Sequence, residues 1–144
     1  MRFFFYGTLL DSDVIALVLG RRLPPRAFVP AALLGHARRS AKGVTYPIVV
    51  RDPRSEVPGA VVGGLSRRDV ARLATYEGPR YRIAPLTVRV MGALVTVSVF
   101  EPLESRFQPT DGFWDLALWQ RRHKRAFVSR VAKAFSARPA YSTP

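Results

Sequence analysis

Three phenylalanines and a tyrosine in a row, Phe3 to Tyr6, leave few options for the start of this chain. Such a run is too apolar for an exposed segment and too short for a buried helix, so it reads as a core strand. It breaks at once into Gly7-Thr8-Leu9. A glycine directly after a core strand lets the next amides turn toward a ligand. A second unusual element lies far away, at Thr75-Tyr76-Glu77-Gly78.

At 144 residues the chain has the length of one ordinary domain, and residues 1–137 are expected to form it, with 138–144 as a frayed tail. There is no cysteine, which excludes disulfides and thiolate metal sites. Asp11 and Asp13 interrupt the apolar start, and Arg21-Arg22 stand where a signal peptide would need small residues. No stretch approaches the roughly 20 apolar residues that span a bilayer, so the expectation is a cytoplasmic protein with no membrane partner. The net charge is +13, and of 23 basic residues only three are lysines. From Gln120 to the end there are seven basic residues and no acidic one. That bias fits either a nucleic-acid surface or solvated arginine-rich faces, and no RNP, zinc-finger or KH-type motif accompanies it.

Along the chain, Asp11-Ser12 cap a short helix from Val14 to Leu19, and Gly20 closes it. Ala27 to Arg38 and Tyr46 to Val50 read as strands, Arg51-Asp52-Pro53 as a turn, and Val57 to Leu65 as a glycine-bent strand. Ser66 to Asp69 matches a capping box and opens a helix ending near Gly78. Alternation around Val88 and Val97, with Met91-Gly92 between, predicts a tight hairpin. Spacings of three and four from Leu116 through Trp119, His123, Phe127 and Val131 predict one long helix over about 113–135. Short strands, glycine bends and helices in this order give an α+β fold, a small mixed sheet or barrel with helices outside. No strand leads into a G-x-G-x-x-G turn, which argues against a dinucleotide fold.

Candidates for chemistry are few. Glu77 sits at a helix end between Tyr76 and Tyr81, where apolar rings would strip solvent from its charged form and poise it as an acid or base. His123 is placed on the apolar face of the last helix and His36 in a solvent-facing basic strand. Neither has the neighbours that a metal site needs, and no nucleophile elbow or phosphate loop is present.

Taken together, FFFYGTLL, YPIVV (Tyr46 to Val50), VPGAVVGGL (Val57 to Leu65), YEGPRY (Tyr76 to Tyr81) and the Trp119-x-x-x-His123 helix resemble the gamma-glutamylcyclotransferase-like superfamily, in its AIG2-like branch. The resemblance implies a small β-barrel with flanking helices. It implies that Tyr6, Gly7, Thr8 and Leu9 form a substrate-binding loop and that Glu77 is the general acid/base, with no metal or cofactor. The implied reaction closes the glutamyl α-amine onto its own γ-carbonyl, releasing 5-oxoproline and an amine. The chain departs from the family in having Leu73-Ala74 where members often have Leu-Asp. The alternative is a noncatalytic module of the same fold whose basic C-terminal helix binds nucleic acid or an acidic partner. Oligomeric state is left open.

Overall fold

The computed structural model describes residues 1–136, so the tail expected at 138–144 lies outside the described residues. Five strands close into a barrel: β1 (Phe3–Phe5), β2 (Val29–Ser40), β3 (Pro47–Val62), β4 (Tyr81–Val90) and β5 (Ala93–Pro102), in the order β1-β3-β2-β4-β5. All neighbours are antiparallel except β1 and β5, which pair in parallel and make the sheet mixed. Helices α1 (Ser12–Leu19), α2 (Arg67–Glu77), α3 (Leu116–Arg122) and α4 (Lys124–Ser136) pack outside. Among the described residues, no helix is long and apolar enough to cross a membrane.

The aromatic start is buried on both faces because β1 lies between two cores. Side chains alternate across a strand, so Phe4 and Tyr6 join Leu33, Val57, Val88 and Val99 inside the barrel. Phe3 and Phe5 point the other way, into the layer under the helices with Val14, Leu73 and Trp119. Where β3 crosses β1, a side chain on Gly59 would put its Cβ 2.2 Å from the Phe5 carbonyl oxygen. Only glycine fits that crossing.

Three local expectations are corrected. The turn at Arg51-Asp52-Pro53 lies inside the continuous strand β3: between the pairs Leu34↔Glu56 and His36↔Arg51 there is one residue of β2 and four of β3. The extra residues bulge out around Asp52, which accepts hydrogen bonds from the Arg54 N–H and the Ser55 hydroxyl at 3.2 and 2.7 Å. His36 is buried rather than solvent-facing. Gly35 (φ +72°) sits at the irregularity and offsets the alternation, so His36 turns toward buried Glu101, with Nε2 3.5 Å from its carboxylate. Arg82, cross-strand from Glu101, donates to the same carboxylate at 2.8 Å.

The third correction concerns the last helix. It breaks at His123, which is exposed instead of lying on an apolar face. The break leaves Trp119 on α3 and Phe127 on α4 with their rings 5.2 Å apart, edge to face, over the outer core. Neither glycine nor proline marks the break, so packing sets it.

Candidate functional site

The strand β1 runs into a rigid corner. Gly7 is followed by a single 3₁₀ turn, Thr8–Leu10, closed by Leu10 N–H to the Gly7 carbonyl and Asp11 N–H to the Thr8 carbonyl, both at 3.0 Å. A Cβ on Gly7 would come within 3.0 Å of the Pro47 ring, so the corner packs against the start of β3 at a distance that suits glycine. The Tyr6 hydroxyl donates to the Phe100 carbonyl at 2.8 Å, and Arg38 donates to the Tyr6 carbonyl at 3.0 Å. Between the Thr8 hydroxyl and the Tyr76 hydroxyl the separation is 2.5 Å, which ties the corner to α2.

Glu77 is the last residue of α2. Its helix starts with a complete capping box, Ser66 and Asp69, and stops because Gly78 turns the chain out at φ +80°. A cavity of about 130 Å³ opens between this helix end and the corner. All five residues singled out in the sequence line it: Tyr6, Gly7, Thr8, Leu9 and Glu77. The lining also contains Tyr46, Pro47, Tyr76, Tyr81 and Phe127 and, among the described residues, no lysine or arginine.

That composition sets the electrostatics. Burial raises the Glu77 carboxyl to about 8, and among the described residues no cation or hydrogen-bond donor offsets the loss of solvation. Burial, and then the nearby Glu77 charge, push the Tyr76 and Tyr81 hydroxyls well above their ordinary range. Tyr6 is raised as well, chiefly by burial. The cavity therefore offers neutral hydroxyls, aromatic faces and one carboxyl that exchanges its proton near neutral pH. An arrangement of this kind can pass a proton between two atoms of a small bound molecule.

Some of these residues were missed by sequence reasoning, for different reasons. Tyr76 and Tyr81 flank Glu77 in the chain, and their aromatic character was noted without a place in the lining. Tyr46 starts the YPIVV segment but gives no signal of direction. Phe127 shows in the sequence only as part of the apolar spacing of the last helix, and its place in the lining depends on the break at His123. Ala74, at the point of departure from the family pattern, is exposed and outside the cavity lining, so a carboxylate there is not missed by the cavity.

Comparison with known proteins gives a consistent result. The sequence profile "Gamma-glutamyl cyclotransferase, AIG2-like" matches residues 3–116. Protein AIG2 C of Arabidopsis thaliana is 30% identical over 132 residues, covering 90% of this chain and 78% of that protein. AIG2-like protein B from the same plant is 29% identical over 127 residues, covering 87% and 72%. A solution structure of an Arabidopsis thaliana protein superposes with a TM-score of 0.67 at 27% identity, covering 99% of this chain and 87% of the other. A solved gamma-glutamyl cyclotransferase shares the fold, with a TM-score of 0.59 at 17% identity, covering 97% and 82%.

Proposed function

Since this chain belongs to the gamma-glutamyl cyclotransferase, AIG2-like family, we propose that it cleaves a gamma-glutamyl amine or amide by intramolecular cyclisation, releasing 5-oxoproline and a free amine. The observation that carries this reading is Glu77, a carboxyl raised to about 8 that shares a cavity with the Tyr6–Leu9 corner.

The chemistry asks little of the protein. The nucleophile is the substrate's own α-amine, and intramolecular attack can be worth an effective molarity of about 10⁵ to 10⁸ M. Glu77, as carboxylate, takes a proton from the α-ammonium and frees its lone pair. The nitrogen attacks the γ-carbonyl carbon, forming the ring C–N bond and a tetrahedral oxyanion. Collapse breaks the bond to the leaving nitrogen, which takes the first proton from Glu77, and the ring nitrogen then gives up its own extra proton to the Glu77 carboxylate, from which it passes to the departing amine. The Leu10 and Asp11 amides are spent on the 3₁₀ turn, so we assign the amides of Gly7, Thr8 and Leu9 to an anionic oxygen of the substrate. Tyr46, Tyr76 and Tyr81 surround the ammonium with aromatic faces that favour a cation.

Incubating the protein with a panel of gamma-glutamyl amines and peptides should release 5-oxoproline from at least one. Folded Glu77→Gln should lose at least about 10²-fold in kcat, the usual scale for removing a general acid/base. Full activity in that variant would remove Glu77 from the mechanism. Salt-sensitive binding of nucleic acid, with no turnover of any substrate, would support the noncatalytic module instead.

A further inference from the structure

The family profile ends at residue 116, yet the cavity wall continues beyond it. Phe127, on α4, lines the same space as Glu77 and the corner. Its ring meets Tyr76 at 6.3 Å and buried Trp119 at 5.2 Å, both edge-on. A ring held between a cavity residue and a core residue gives up a contact whenever α4 shifts.

Besides the apolar packing of Phe127, Val128 and Val131, α4 is tied down by a polar junction. Asp11 follows the 3₁₀ turn directly and is 1% exposed. Its Oδ1 caps α1 by accepting the Asp13 and Val14 N–H groups at 2.9 and 3.0 Å. Its Oδ2 accepts Gln120 Nε2 of α3 at 2.8 Å and lies 2.9 Å from Lys124 Nζ of α4. Lys124 also donates to Asp13 at 2.7 Å. One buried carboxylate thus joins the corner, α1, α3 and α4. Burial pushes the Asp11 carboxyl up, but hydrogen bonds from Lys124, Gln120 and the Val14 amide outweigh it and hold the group below its ordinary range. The junction therefore stays ionised at neutral pH and acts as a fixed tie. Lys124 lies three residues before Phe127, on the same side of α4, so the tie sets where that ring stands.

We propose that Phe127 determines the size of leaving amine the site accepts, and that Lys124 is the positioning residue that sets Phe127 through Asp11. This inference rests on the cyclotransferase reading. With the glutamyl part held at the corner, the Phe127 ring limits the space left for a bulky amine.

The test compares 5-oxoproline release from gamma-glutamyl-methylamine and gamma-glutamyl-phenethylamine. Phe127→Ala should raise the bulky-to-small ratio of kcat/KM by about tenfold, the scale of a changed apolar pocket contact. Lys124→Met should move the ratio the same way by about threefold, mainly through KM, and the double variant should not exceed Phe127→Ala alone, since the two residues share one effect. Lys124→Arg should restore the original ratio. An unchanged ratio with a lowered melting temperature would reduce Phe127 to packing. Additive shifts would show that Lys124 does not act through Phe127. Hydrogen exchange reads the tie without turnover: Lys124→Met should speed exchange at the Asp11 amide and along α4, and unaltered exchange would overturn it. If the unmodified protein releases no 5-oxoproline from any substrate in the wider panel, the cyclotransferase reading fails and takes the size-selection claim with it, while the exchange result still decides the tie.

Discussion

The carboxyl of Glu77 is shifted by burial alone, and that fixes the sign of its pH dependence. Its ordinary value is 4.5 and its folded value about 8, so between those limits the folded chain holds a proton that the unfolded chain has released. Stability falls wherever the unfolded state binds fewer protons as pH rises. The Glu77 contribution is therefore absent below about pH 4.5, grows more unfavourable toward pH 8 and is then constant. Glu77→Gln should match the unmodified protein in denaturant melts at pH 4 and exceed it by about 2 kcal/mol at pH 8, less than the full shift because the side chain is only partly buried. Equal stability at both values would mean the carboxyl ionises as it does in water. The same group was the clearest one in the sequence, since Tyr76, Tyr81 and Gly78 surround it within a few residues. His36 was not legible, because its direction depends on a positive-φ glycine and a bulge in the partner strand.

At the level of elements, those with their signals written locally matched expectation. Asp11 and Gly20 bound α1, Ser66 and Asp69 open α2, and Met91-Gly92 join β4 to β5. The failures differ in kind: Asp52 closes the bulge in β3 with local hydrogen bonds that leave the strand unbroken, while the break at His123 serves the distant packing of Trp119 against Phe127, which no local pattern records. The hairpin makes a separate prediction. Met91 adopts φ +51° and Gly92 φ +80°, the left-handed pair of a type I′ turn, and Met91 is 91% exposed. A methionine there pays the left-handed penalty and packs against little, whereas asparagine tolerates that backbone. Met91→Asn should stabilise the protein by about 0.5 to 1 kcal/mol in urea melts with no change in activity. A loss of stability would mean the turn relaxes to another type.

Across the whole molecule, the barrel was legible because alternating valines and glycine bends recur through the sequence, while strand order was not. The parallel contact of β1 with β5 joins the two ends of the barrel, and nothing local announces it. Charge is a property of the same scale. The chain carries 23 basic residues against 10 acidic ones. Five of the acids, Asp11, Asp13, Glu56, Asp69 and Glu101, already sit in ion pairs with lysine or arginine. The excess cations are spread over solvated faces, Arg121, Arg122 and Arg125 among them, so folding brings like charges together faster than it makes new pairs. Raising ionic strength screens that repulsion over about 10 Å at 0.1 M and weakens the exposed pairs too, but those are worth little individually. The net effect should be stabilising: the melting temperature should rise by about 3 °C between 20 and 200 mM sodium chloride, corresponding to roughly 1 kcal/mol for a chain of this size. A fall over the same range would show that the ion pairs, led by the buried Asp11 and Glu101 junctions, outweigh the surplus of positive charge.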